Sequence, residues 1–137
     1  MSTTIYRTLC GALGLGLLGL GLGLFAMFFQ YHTPGSPPAE PIPVGPGGAY
    51  YQALAGCALV AWGGVLLGAA RKPQAAPWIA SVTACALVLN AFYRILAWLI
   101  GDYAFLGNLL RVEAAIMLLL ALAFVWLKPR PLVSQPL

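Results

Sequence analysis

The chain carries very few charged side chains, and this scarcity sets its class. Of its 137 residues, 7% are charged and 61% are hydrophobic. A soluble domain usually has about 25% charged residues, so this composition excludes an ordinary soluble fold. The sequence therefore predicts a single integral membrane domain over residues 1–137.

Reactive side chains are also scarce. The chain has one histidine, His32, and three cysteines that lack the paired spacing of a zinc site. It contains no nucleophile paired with a base, no P-loop and no dinucleotide-binding glycine motif after a strand. We therefore expect no enzymatic activity, and no recognisable motif encodes a cofactor, although a bound lipid or pigment stays open. The scattered basic residues form no stripe with interleaved aromatics, so we expect no nucleic-acid partner.

What the chain does contain is four long apolar stretches. Each can cross a ~30 Å hydrocarbon core, which requires about 20 helical residues. The predicted helices cover residues 8–30, 49–70, 78–100 and 109–127, with a proline-rich outer loop at 31–48. The first apolar run is too long for a signal peptide and no small-residue cleavage site follows, so we expect an uncleaved helix. The pattern predicts an all-α bundle of four transmembrane helices.

Basic residues predict the orientation. Those at the same end of the four spans are Arg7, Arg71, Lys72, Lys128 and Arg130. The connections 31–48 and 101–108, at the opposite end, hold no lysine or arginine. Because basic residues are retained on the cytoplasmic side, both termini are predicted to be cytoplasmic.

The first span is unusually rich in glycine. Its glycines are Gly11, Gly14, Gly16, Gly19, Gly21 and Gly23. At ~100° per residue, one stripe holds Ala12, Gly16, Gly19, Gly23 and Ala26. Gly14 and Gly21 fall nearly opposite. Since glycine lets helix backbones approach, one face is expected to pack against the protein's own helices. The other face could receive a second protein, a lipid tail or a pigment; alternatively, the repeat is plain hydrophobic filler.

Three charged residues, Arg94, Arg111 and Glu113, lie inside predicted spans. A charge within the bilayer costs at least ~2.5–3.5 kcal/mol, so each needs a partner, water or a function. The third and fourth spans are joined by a short turn and must be antiparallel neighbours. Arg94 and Glu113 then lie at similar depth, which predicts a salt bridge between them.

Three polar residues complete this predicted cluster. Asn90, one turn from Arg94, is expected to offer its amide oxygen to the guanidinium, and Asp102 is expected to pair with Arg111 at the rim. Asn108 is placed to cap the fourth helix. The cluster is interpreted first as a clasp that fixes helix register. A headgroup or anion site with Arg94 as the cation, and a proton relay, are the alternatives.

A short motif carries a family resemblance. It consists of the segment Asn90–Arg94, then Gly101 and Asp102, then Glu113 in the last span. With these residues the C-terminal half resembles a group of uncharacterised four-helix bacterial inner-membrane proteins that are loosely similar to DoxX-like proteins. The resemblance implies a multi-pass protein of the bacterial inner membrane with a shared polar cluster, and it implies no reaction.

The expected function follows from the missing chemistry and the second smooth face of the first helix. We expect a non-catalytic accessory subunit that packs against a larger membrane complex of the respiratory or photosynthetic kind. The alternative is a standalone membrane protein that binds or transports a lipid or small molecule through the Arg94 and Glu113 cluster.

Overall fold

A computed structural model describes residues 2–33, 45–74, 77–100 and 108–129 of the chain. These ranges contain four α-helices and no strand. The helices are α1 (Ser2–His32), α2 (Gly45–Arg71), α3 (Trp78–Ile100) and α4 (Leu109–Trp126). Each contains a segment long and apolar enough to cross a membrane. The prediction of an all-α protein with four helices of membrane-spanning length is confirmed.

The first two helices are longer than predicted. α1 begins at Ser2, before the apolar run, and α2 begins at Gly45. Pro46 then lies in the first turn of α2. Proline is tolerated there because a backbone N–H in the first turn has no acceptor within the helix. The predicted loop at 31–48 was therefore too long at both ends, and residues 34–44 of it lie outside the described part of the chain.

The chain divides into two compact units. The α1–α2 unit consists of Arg7–Arg71, and the α3–α4 unit consists of Met1–Tyr6 together with Lys72–Leu137. Each unit has its own internal packing and is described separately. A single domain and a four-helix bundle stay predictions.

Glycines bring the two helices of the α1–α2 unit into backbone contact. A Cβ added at Gly14 would lie 3.0 Å from the carbonyl oxygen of Gly63, and one at Gly21 would lie 2.7 Å from that of Gly56. The relation is reciprocal, since Cβ atoms at Gly56 and Gly63 would lie 2.8 and 2.7 Å from the oxygens of Gly21 and Gly14. Both pairs are seven residues apart. The two helices are thus antiparallel and meet at positions that admit no side chain.

Small residues also fill the interior of the α3–α4 unit. Its buried alanines are Ala80, Ala84, Ala91, Ala97, Ala114 and Ala121. Two aromatic rings close one end, where Tyr6 and Phe124 are fully buried and meet edge to face with centroids 6.1 Å apart. The first residues of the chain are thereby held against the last turn of α4.

Large apolar side chains cover the outside of the helices. Leu119 is 67% exposed and Trp126 is 86% exposed. Of the three cysteines only Cys10 is buried, whereas Cys57 and Cys85 are exposed. Lipid tails are as apolar as a protein core, so a membrane helix can carry cysteine or leucine on its outer face.

Candidate functional site

The predicted ion pair joins α3 to α4. Nη1 of Arg94 donates a hydrogen bond to Oε2 of Glu113. The two side chains are 27% and 34% exposed, so the rest of the protein shields the ion pair only partly from its surroundings. Each residue supplies the counter-charge that the other needs within a membrane span. This geometry is that of a clasp between neighbouring helices.

Arg94 is not fully satisfied by this contact. Its Nε is buried and has no hydrogen-bond partner among the described residues. Asn90 does not supply one: it is exposed, and its Nδ2 lies 3.5 Å from the carbonyl oxygen of Ala86. The expected contact from Asn90 to Arg94 is therefore wrong. An asparagine inside a helix can bond to the carbonyl four residues earlier instead.

The second arginine, Arg111, occupies a different environment. It is exposed, and its guanidinium carbon lies 4.9 Å from the centroid of the Trp98 ring. Its Nη2 donates to Oδ1 of Asn108. A planar guanidinium over an indole is a favourable cation–π arrangement. The sequence analysis missed this contact, although Trp98 and Arg111 lie close in sequence to either end of the connection 101–108.

Asn108 does not cap α4 through its side chain. It occupies the N-cap position with φ −82° and ψ −4°, but no side-chain capping hydrogen bond forms. Its backbone oxygen accepts the first helical bond, from the nitrogen of Val112 at 3.1 Å. The predicted side-chain cap is wrong because Arg111 takes the amide oxygen that would have made it.

Asp102, the predicted partner of Arg111, lies outside the described residues, and that pair stays a prediction. Within α3 and α4 the charged residues are Arg94, Arg111 and Glu113. Two positive charges and one negative charge leave a net charge of +1. Since Glu113 is bonded to Arg94, the excess positive charge is carried by the exposed Arg111.

The structure distinguishes the two glycine faces of α1. Gly14 and Gly21 are buried against α2, whereas nothing lies within 4 Å of a Cβ added at Gly16, Gly19 or Gly23. We call the second surface the open face. Its members are Ala12, Gly16, Gly19, Gly23 and Ala26. A shallow groove of about 430 Å³ lies along the later part of this face, and its lining includes Gly19, Gly23, Ala26, Met27 and Gln30.

A second groove lies between α3 and α4 and has a volume of about 500 Å³. Its lining includes Ser81, Cys85, Val88, Leu118, Leu122 and Val125. The surface is almost entirely apolar. It has the character of a site for a hydrocarbon chain rather than for a polar solute.

No group of three or more His, Cys, Asp or Glu side chains that could hold a metal ion occurs among the residues with described positions. Comparison of the chain with protein-family models, curated proteins and solved structures gave no match. The resemblance to DoxX-like proteins therefore stays a prediction. The candidate site rests on the geometry of the helices alone.

Proposed function

We propose that this protein is a non-catalytic accessory subunit that packs against a larger membrane protein complex. The observation that supports this function is the open face of α1. At Gly16, Gly19 and Gly23 the backbone of α1 is not covered by α2. A helix of a partner protein could approach this surface as closely as α2 approaches the opposite one.

The physical argument comes from how helices associate in lipid. The hydrophobic effect does not drive helices together in a bilayer, because lipid tails are as apolar as the helix surface. Helix association therefore depends on close packing and on the small residues that permit it. The contact of Gly14 with Gly63 shows that this chain builds such packing from glycine. Gly19 and Gly23 offer the same smooth surface, with the exposed side chains of Leu20 and Leu22 beside it.

The kind of complex is inferred from protein type. Respiratory and photosynthetic assemblies contain small hydrophobic subunits that consist of little more than membrane helices, and this chain has that form. Membrane lipids surround the remaining apolar surface. The bacterial inner membrane is the proposed location, as the resemblance of the C-terminal half to four-helix inner-membrane proteins implies.

The proposed topology has both termini in the cytoplasm. The described basic residues outside the helix pair α3–α4 are Arg7, Arg71, Lys72 and Lys128. All four lie at the same end of the four spans if each helix crosses the membrane once. That distribution is the one produced by cytoplasmic retention of basic segments.

Mild solubilisation of native membranes, affinity capture of the tagged chain and mass spectrometry test the proposed function. The wild-type protein should copurify with a constant set of membrane proteins. Gly19→Leu and Gly23→Leu, which place a large side chain on the open face, should abolish this association. Gly68→Leu is the matched control, because nothing lies within 4 Å of a Cβ at Gly68 either and that glycine belongs to α2.

Two results would contradict the proposal. One is isolation of the wild-type chain only as a free monomer under the mildest conditions. The other is equal partner recovery with Gly19→Leu, Gly68→Leu and the wild-type protein.

A second candidate function is binding or transport of a lipid or small molecule through the Arg94 and Glu113 cluster. The unpartnered Nε of Arg94 favours it, since a buried donor without an acceptor costs about 1–3 kcal/mol and a ligand oxygen could satisfy it. Arg94→Ala separates the two functions. Loss of a bound molecule with the complex intact supports the second candidate, and loss of the complex supports the first.

A further inference from the structure

The end of the α3–α4 unit at which α4 finishes carries a positive charge without a counter-charge. Lys128, two residues beyond the last residue of α4, is exposed, and no acidic residue lies within fourteen positions of it in the sequence. In the part of the chain that the structure describes, the one acidic side chain is Glu113, and it is bonded to Arg94. The ammonium group of Lys128 therefore has no carboxylate partner among the described residues.

Two exposed tryptophans lie at this same end. Trp78 is the first residue of α3 and Trp126 is the last residue of α4, and their side chains are 60% and 86% exposed. Tryptophan is enriched where a membrane helix passes from the hydrocarbon core to the headgroups. Lys128 follows Trp126 by two residues, so its long side chain can reach the headgroup level. Its three N–H donors suit the oxygens of a lipid phosphate.

The register of the two helices places the apolar groove in this half of the unit. Arg94 and Glu113 lie at one level, since they form an ion pair. Cys85 comes nine residues before Arg94, and Leu122 comes nine residues after Glu113. In antiparallel helices these two positions again lie at one level, and both line the groove. Lys128 follows six residues after Leu122, so the groove lies between the ion pair and the lysine.

The groove and Lys128 also lie on one side of α4. Ala121 and Val125 line the groove, and Lys128 follows Ala121 by seven residues, which is about two helical turns. The N–H of Leu127 still donates to the carbonyl oxygen of Ala123, at 2.9 Å. Helical hydrogen bonding thus extends to the residue before Lys128, and the spacing of the helix applies to its position.

The distances suit a phospholipid. Val125 and Leu118 mark the two ends of the groove on α4. At 1.5 Å of rise per residue they lie roughly 5 and 15 Å from Lys128 along the helix. Half of a bilayer's hydrocarbon core is about 15 Å thick. An acyl chain that starts from a headgroup at Lys128 would therefore enter the groove within one helical turn and follow it to the bilayer midplane.

We propose that the α3–α4 unit binds an anionic phospholipid, with the headgroup phosphate on the ammonium group of Lys128 and one acyl chain in the groove between Cys85 and Leu122. Charge complementarity selects this occupant, because a lysine without a described counter-charge stands at the polar end of a groove that is almost entirely apolar. The site lies within the α3–α4 unit. It therefore does not depend on the open face of α1, and either proposal can fail without the other.

Native mass spectrometry of the detergent-solubilised full chain tests the headgroup contact. Phosphatidylglycerol should be retained in preference to phosphatidylcholine of the same chain length. Lys128→Gln should weaken phosphatidylglycerol binding by about fivefold, the factor expected for one basic residue near an anionic surface. Lys128→Arg, which keeps the charge, should bind as the wild type does. Arg111→Gln is the charge-matched control, because it removes one positive charge at the opposite end of α4 and should leave binding unchanged.

The two exposed cysteines provide a matched pair for the acyl-chain contact. Cys85→Phe fills the groove, whereas Cys57→Phe adds the same bulk to an exposed position of α2. Cys85→Phe should weaken binding of dioleoyl phosphatidylglycerol and leave binding of the short-chain dihexanoyl lipid unaffected. Cys57→Phe should change neither. A thermal melt of each variant shows that it is folded, and Val88→Phe, at another exposed position of the groove, takes the place of Cys85→Phe if that variant does not fold.

Three outcomes would overturn the proposal. Equal retention of phosphatidylglycerol and phosphatidylcholine by the wild-type protein would remove the role of the charge. A loss of binding with Arg111→Gln but not with Lys128→Gln would place the headgroup at the opposite end of α4, away from the groove. Identical binding of the dioleoyl lipid by Cys85→Phe and Cys57→Phe would exclude the groove as the site of the acyl chain.

Discussion

Arg94 of α3 and Glu113 of α4 face each other as an ion pair between antiparallel helices, with Nη1 donating to Oε2. Their side chains are 27% and 34% exposed, so water or headgroups screen them only in part. The pair neutralises two charges that would each be costly in a membrane span. Its position between the helices makes it a determinant of their register.

Glu113→Gln should lower the stability of the solubilised protein. The substitution leaves Arg94 without a counter-charge, and we expect a loss of about 1–3 kcal/mol, below the roughly 3–5 kcal/mol of fully buried pairs. Replacement of both partners, Arg94→Met with Glu113→Leu, should recover most of the loss because neither charge remains. Thermal unfolding in detergent, followed by circular dichroism, measures both. An unchanged midpoint in Glu113→Gln would show that the pair is not a clasp.

Gly21→Ala and Gly16→Ala should change stability in opposite directions. A Cβ at Gly21 would lie 2.7 Å from the carbonyl oxygen of Gly56 and 2.9 Å from Cγ2 of Val60, so α1 and α2 must separate. Overpacking of this kind typically costs about 1–3 kcal/mol. At Gly16 nothing lies within 4 Å, and alanine should gain up to about 1 kcal/mol of helix propensity. Thermal unfolding of the two variants in detergent measures the difference. Similar unfolding midpoints would contradict the close contact of Gly21 with Gly56.

Phe124→Ala should loosen the start of the chain. Phe124 is fully buried and meets the ring of Tyr6 edge to face. In aqueous cores such a truncation costs about 3–5 kcal/mol. We expect a loss on the order of 2 kcal/mol, because lipid and detergent are as apolar as the core and only the packing is lost. Leu119→Ala, at a position 67% exposed on the same helix, is the control and should melt like the wild type. Faster hydrogen exchange at residues 3–6 in Phe124→Ala alone would localise the effect.

Reporter fusions should place both termini in the cytoplasm. A cytoplasmic reporter joined after Met1 or after Leu137 is expected to be active, and a periplasmic reporter at either end is expected to be inactive. Arg71 and Lys72 govern this outcome through the positive-inside rule. Activity of a periplasmic reporter at one terminus only would require an odd number of crossings and would overturn the topology.

Much of the fold follows from local sequence. The predicted bounds of α3 agree with the structure and those of α4 agree within one residue, because long apolar runs end at polar or proline-containing segments. The bounds of α1 and α2 were less accurate, since hydropathy reports the apolar stretch and not the helical turns that extend beyond it. The ion pair was predictable because the short sequence between the third and fourth spans implies antiparallel neighbours, with Arg94 and Glu113 at similar depth.

The side-chain partners of the weaker polar groups were harder to predict. Asn90 was expected to turn towards Arg94, and Asn108 was expected to cap α4. Asparagine can bond to its own backbone, to a neighbouring side chain or to a helix end with similar energy, so sequence spacing alone does not select one partner. For Arg111, the ring of Trp98 on the facing helix selects the partner, because it holds the guanidinium close to Asn108.

The sequence by itself determined that this is an all-α protein with four helices of membrane-spanning length, since composition and the length of apolar runs are properties of the chain alone. It also determined that α1 has two glycine faces, which follow from helical periodicity. Only the tertiary structure decided that Gly14 and Gly21 pack against α2 and that Gly16, Gly19 and Gly23 are not covered by it. That choice depends on where Gly56 and Gly63 lie on the facing helix, because close packing requires matched small residues on both partners.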